Sequence, residues 1–510
     1  MGGLTATVRL ANQRLVGPDG SKRMDRVQAM TPDDAWREEM WVAIGRALAA
    51  HAVMLRDSDI IDDTIAASLL TAIDAARRGA PPDVPGSLAL VAAFDDRVDS
   101  LIAAGAAGAV RIARARHDLA ATAQRLVLRD RALALASAVD TSRGAVIELA
   151  ESHVFTLMPV WSGSSPLQPT NLAHFLTGAL APLGRSARTL HAVYQDLDRS
   201  PLGAAALAGP GLPIDRDETA DLLGSEGPVE STFDALSAVD HLVAAGDAAA
   251  ASVTPVRRLA SELMLWLRTE PQALRLADEL LAAPDANLPH FRPPALLERL
   301  VADARQVEAD AVTIVSLTRD IPYGPVGELA DAAAETAGSA LSRAAATNET
   351  FAKVIGGSIE INRAWLARTA GQALVTAGDL ADFFMAEEAL DPTAAREIAA
   401  LTTGRARQEG LEASGITPAM IDAAALLVIG RELGIEIERL GAYLAPRRFI
   451  EKRTVLGGPA APAVREFLTL ERTRLAADRR WLEEKQRRIA LADENLEIRT
   501  HELLSAASFS

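Results

Sequence analysis

Cysteine is absent from the 510-residue chain, which excludes disulfides, thiolate metal sites and cysteine nucleophiles. Aromatic residues are scarce at 4%, and the β-branched residues that strands prefer are scattered. Positive charge is in short supply: 52 Lys and Arg stand against 68 Asp and Glu, a net charge of −16. That balance argues against nucleic-acid binding, which needs a concentrated basic surface. No run of 18 or more apolar residues occurs, so no contact with a membrane is expected. Met1 to Arg9 does not read as a signal peptide, and the expected location is cytoplasmic. The eight histidines lack zinc spacing and the acids form no calcium loop, so neither a metal nor another cofactor is expected.

What is present is helix-forming. Hydrophobic residues make up 49% of the chain, and alanine is the commonest type. Apolar residues recur at three- and four-residue spacing over Ala35 to Leu55, Leu119 to Val139, Leu172 to Leu197, Phe233 to Leu267 and Leu296 to Leu317. No proline interrupts the chain between Pro85 and Pro159 or between Pro325 and Pro392, which leaves room for unusually long helices. The pattern predicts an all-α chain built around a long bundle. Gly/Pro-rich breaks at Arg78 to Ser87, Pro201 to Pro228, Pro284 to Pro294 and Leu444 to Pro462 punctuate it. The expected organisation is an N-terminal helical domain over 1–86, a central bundle over 87–350, a C-terminal helical domain over 351–460 and an extended final helix over 461–510. In that last helix Leu468, Leu475, Leu482, Ile489, Leu496 and Leu503 recur every seven residues. Such a stripe suits a helix–helix seam, either an autonomous coiled coil or a helix docked on its own body.

Several ordered stretches resemble argininosuccinate lyase, of the fumarase and aspartase superfamily. Ser200 to Glu230, SPLGAAALAGPGLPIDRDETADLLGSEGPVE, is similar to the family's S-P-L-G-A-G-A-L-A-G block with P-I-D-R and G-P-V-E after it. Ala113 to Asp130 resembles the R-S-R-N-D-Q helix start, and His51 to Ile60 the H-A-x-M-L opening. Ala377 to Phe383 (AGDLADF) and Arg453 to Gly458 (RTVLGG) match later landmarks in the right order. The resemblance implies a three-domain fold and a homotetramer whose active sites each draw on three subunits. It also implies a β-elimination that splits a C–N bond and releases fumarate, which needs a base, an acid and donors for the intermediate.

The family motifs that supply those groups are altered here. Its T-H-L-Q-x-A-Q-P corresponds to Ser162 to Pro169, SGSSPLQP, with Gly163 at the histidine and Gln168 retained. Glu298 matches the glutamate that orients that histidine. The loop G-S-S-x-M-P-Q-K-x-N-P corresponds to Pro284 to Pro294, PDANLPHFRPP. Asp285 and Ala286 fall at its serines, Phe291 at its lysine and Pro293 at its asparagine. The D-I-H segment falls within the apolar stretch Leu88 to Phe94. Of S-D-R-D only Ser237 and Asp240 remain, and of Y-N-K-D-M-Q Tyr323 remains while Glu328 replaces glutamine. Arg114, Arg116 and Asp118 survive, and His117 stands where the family has asparagine.

These residues define the expected site. Arg114, Arg116, Asp118, Gln168, Tyr323 and Glu328 form the substrate-binding set, with arginines suited to gripping a small-molecule carboxylate. Asp285, His290, His117 and Ser162 are the catalytic candidates. Three functional readings remain open: a repurposed tailoring enzyme acting on a carboxylate- or amine-bearing small molecule, a non-catalytic binding or scaffold member of the fold, and a C–N lyase using Asp285 as base.

Overall fold

The computed structural model describes residues 32–507, so Met1 to Arg9 and the first part of the expected N-terminal domain lie outside the described residues. The chain is predominantly helical. A first group comprises α1 (Pro32–Asp57), α2 (Asp63–Arg77) and α3 (Ser87–Leu101). The bundle follows with α4 (Arg116–Ser152), α5 (Leu172–Leu197), the short α6 (Arg216–Leu222) and α7 (Thr232–Ser237), then α8 (Asp240–Thr269), α9 (Ala295–Thr318) and α10 (Glu328–Ile355). Smaller helices come next: α11 (Arg363–Thr369), α12 (Leu380–Glu387), α13 (Pro392–Gln408), α14 (Pro418–Ile429), α15 (Ile437–Leu444) and α16 (Pro446–Glu451). A 47-residue helix, α17 (Ala461–Ala507), closes the described chain.

Among the described residues strand is confined to three short pairings that helical periodicity does not reveal. β1 (Leu157–Ser162) and β2 (Ser165–Asn171) form an antiparallel hairpin. β3 (Arg199–Ser200) pairs with β4 (Gly227–Pro228), and β5 (Leu274–Leu276) with β6 (Ile359–Ile361). The apolar stretch Phe233 to Leu267 is broken as well: Ser231 caps α7, Ala238 is extended, and α8 begins afresh at Asp240.

Small residues let the bundle pack closely. Ala330, Ala333, Ala334, Ala337, Ala340, Leu341 and Ala344 form the buried stripe of α10. A Cβ added at Gly338 would stand 2.6 Å from the Trp36 ring, so that crossing tolerates no larger residue. α10 runs in the same direction as α4: Gln124 donates to Asp331 near their starts (2.7 Å), and Ser142 donates to the Asn348 carbonyl further along (2.8 Å).

α17 docks along the body of its own chain. Leu468 and Leu475 enter the core near the end of α4, Leu482 the middle core, and Leu496 and Leu503 the core of α1 to α3. At 1.5 Å per residue the helix spans about 70 Å, long enough to tie the three together. Charges fasten it as well. Arg143, with 1% of its side chain exposed, bonds Asp140 at 3.1 Å, Asp478 at 2.5 Å and Glu471 at 3.5 Å.

Candidate functional site

The residues singled out in the sequence fall at two ends of α4. Its 37 residues span about 55 Å, so the two groups cannot meet within one chain. Arg114, Arg116, His117 and Asp118 sit at its start, beside the start of α10 with Tyr323 and Glu328 close in sequence. A Cβ built on Gly327 would lie 3.4 Å from His117 Cδ2 and 3.1 Å from Leu88 Cδ1, which places α3, α4 and α10 side by side at that point. Ser162 and Gln168 lie beyond its other end, on the β1–β2 hairpin. Asp285 and His290 lie on the loop before α9; the nearby β5 pairs with β6, which follows α10.

At the first end two residues are consumed by structure. Arg114 forms an ion pair with Asp95 of α3, both side chains about 1% exposed. Burial raises the Asp95 carboxyl even beside Arg114. The buried Asp118 accepts N–H from Ala115 (3.0 Å) on one oxygen and from Gly203 (3.0 Å) and Ala205 (2.8 Å) on the other. Burial outweighs those bonds and the Arg114 charge, so its carboxyl is pushed up to about 6. The clamp holds the chain in a demanding conformation. Ala113 and Ala205 take φ of +56° and +53°, and Ala205 stands where the family block has glycine. The apolar segment Leu90 to Phe94 packs into the core of α1 to α3. Arg116 is exposed, His117 half-buried, Tyr323 90% exposed and Glu328 exposed.

At the other end the hairpin accounts for the glycine at position 163, which the resemblance sets opposite the family histidine. Ser162 pairs with Ser165 across a two-residue turn, and Gly163 takes φ +60° at the first turn position. Glycine is the residue such turns favour there, and a histidine would be strained. Gln168 pairs with Val160, and Ser162, Gln168 and Trp161 are exposed. His174 anchors the hairpin to the C-terminal region: its Nε2 lies 3.1 Å from the Gly457 carbonyl and Nδ1 2.8 Å from Thr170 Oγ1. Nε2 therefore carries the proton and Nδ1 accepts. Burial lowers its pKa.

The loop before α9 is held by its own contacts. Asp285 Oδ1 accepts N–H from Asn287 (2.7 Å) and Leu288 (3.0 Å), a local turn closed by a side chain. Ala282 N–H donates to the Pro293 carbonyl at 2.9 Å, and Arg292 pairs with Asp278 at 3.2 Å. Asp285, His290, Phe291 and Glu298 are exposed. Sequence reading passed over Asp95, one residue beyond the apolar stretch that ends at Phe94; the available signal was a carboxylate directly following a buried helical run.

Comparison with known proteins follows the same outline. Residues 37–307 match the family model described as "Lyase". The chain is 30% identical over 475 residues to an argininosuccinate lyase of Methanoculleus marisnigri, covering 90% of this chain and 92% of that one. Two solved structures are similar with a TM-score of 0.84 and 25% identity, over 92% of this chain and 93% of theirs. One is EDDS lyase in complex with formate, the other an EDDS lyase variant with bound fumarate.

Proposed function

This chain belongs to the lyase family of the fumarase/aspartase superfamily, and we propose that it acts on a carboxylate- or amine-bearing small molecule without splitting argininosuccinate into arginine and fumarate. The observation that carries the reading is Gly163: the position of the family histidine is a hairpin turn at φ +60°, where no side chain can move a proton. The loop before α9 adds to it, with Asp285 and Ala286 at the serine positions, Phe291 at the lysine and Pro293 at the asparagine. Loss of an acid or a base removes on the order of 10²–10⁴-fold each.

Carboxylate recognition is the part retained. Arg116, exposed, next to His117 and without an ion-pair partner among the described residues, is the available guanidinium of the α4 start, and the similar EDDS lyases hold formate and fumarate. Joining this end to Ser162, Gln168, Asp285 and His290 needs more than one chain, which supports a homotetramer with composite sites. Exposed apolar side chains on α9 and α10, Val312, Val315 and Leu329, suit such association. The test is calorimetric titration with fumarate. Saturable binding that weakens about tenfold in Arg116→Gln is the expected result, the loss of one charge-assisted contact. Affinity unchanged in that variant contradicts the assignment.

A second reading, a non-catalytic binding member, is favoured by the structural use of Arg114 and Asp118. Under it, Asp285→Asn and His290→Gln leave every measured turnover unchanged, and loss of an activity in either variant removes it.

A further inference from the structure

A surface basin of about 320 Å³ lies beyond the end of α4, at the foot of the hairpin, with Glu151, Phe155, Arg363, Arg447 and Arg465 in its lining. The three arginines come from α11, α16 and α17, so only the folded chain brings them together. Their surroundings are unusual for a chain with 68 acidic residues against 52 basic ones. None of the three has a carboxylate partner among the described residues. Arg363 donates to the Ser152 carbonyl at 3.0 Å, and the Arg465 guanidinium stands 5.1 Å from the Phe155 ring centre. The one acidic residue in the lining, Glu151, is withdrawn from them: Arg472 grips both its oxygens at 2.6 and 2.5 Å. Phe155 is 66% exposed, with the Arg465 guanidinium beside its ring.

Three unneutralised guanidiniums and an open aromatic ring in one depression form a receptor for several negative charges and a flat group. A single carboxylate leaves two of the guanidiniums unanswered, whereas a chain of phosphates presents acceptor oxygens to all three forks. The exposed phenyl ring offers a stacking surface to a planar heterocycle. We propose that this basin binds a small polyphosphate carrying a planar ring, a ligand of the nucleotide class, at a place separate from Arg116 and the carboxylate site. A bound ligand would bridge the end of α4, α11, α16 and α17, and so brace the base of the hairpin that carries Ser162.

The test is calorimetric titration of the full chain with ATP in the absence of divalent metal, with pyrophosphate and adenosine as comparison ligands. Saturable ATP binding is expected, tighter than that of pyrophosphate, with adenosine alone too weak to saturate. Each of Arg447→Ser and Arg465→Ser weakens ATP binding about tenfold. Glu151→Gln keeps all three arginines, removes the one carboxylate and binds ATP as tightly as the parent or more so. Four results overturn the proposal: no saturation by ATP in the millimolar range, binding that survives both arginine substitutions, equal affinity for ATP and pyrophosphate, or weaker binding in Glu151→Gln.

Discussion

A buried carboxylate that accepts three backbone N–H groups is a staple, and Asp118 plays that part between α4 and the loop after β3. In the sequence it reads as part of an anion-binding run, because Arg114, Arg116 and Asp118 follow one another as ligand-binding residues would. Burial separates their roles: Arg114 pairs with Asp95 and Asp118 with backbone, while Arg116 is exposed and has no ion-pair partner among the described residues. The staple holds Ala205 at φ +53°, where a side chain is strained. Ala205→Gly should therefore raise stability by about 1 kcal/mol, read as a higher denaturation midpoint; a lower midpoint contradicts the strain. His51 supplies the pH dependence at this scale. Its Nε2 lies 2.9 Å from the Ile112 carbonyl, and burial holds its pKa down to about 4. The unfolded chain takes up that proton near pH 6.5, before the folded one does. The stability the neutral ring contributes is thus complete above about pH 6.5 and declines as pH falls toward 4, by roughly 3 kcal/mol at most. His51→Asn should flatten the fall in melting temperature over that window, and an unchanged slope contradicts the assignment.

Among the elements, α17 shows what periodicity reveals and what it leaves open. The seven-residue recurrence of Leu468 to Leu503 marks a seam in the sequence itself, but the partner depends on where the other helices lie. α17 lies along α4 and α5 and reaches α1, α2 and α6, touching each core in turn. The ion pairs along it were invisible for the same reason: Arg143 and Glu471 stand hundreds of residues apart in the chain. Arg143→Met should cost about 3–5 kcal/mol, since it leaves Asp140, Glu471 and Asp478 crowded without their shared cation. Chemical denaturation measures it, and a loss below about 1 kcal/mol would mean that the cluster does not fasten the helix. The hairpin shows the opposite case. Its strands are short and rich in proline and serine, so no alternation announces them, and the turn at Gly163 becomes visible only once Leu157 and Asn171 are paired.

For the whole molecule, the helical character, the long bundle and the ordered family landmarks were legible, because they rest on composition and on motifs contiguous in sequence. The separation of the candidate site residues between two ends of α4 was not, because it depends on helix direction and length. That division is the physical basis for expecting association. Light scattering should give a particle of four chains, whereas a monomer at working concentration would leave the two halves of the site apart and contradict the composite arrangement.

The proposed function has the architecture of an elimination enzyme persisting without the groups that carry its proton transfers. Incubation of the purified chain with argininosuccinate, followed by the absorbance of released fumarate, tests it most directly. No fumarate release above the uncatalysed rate is the predicted result; turnover at the rate of an ordinary argininosuccinate lyase would contradict it.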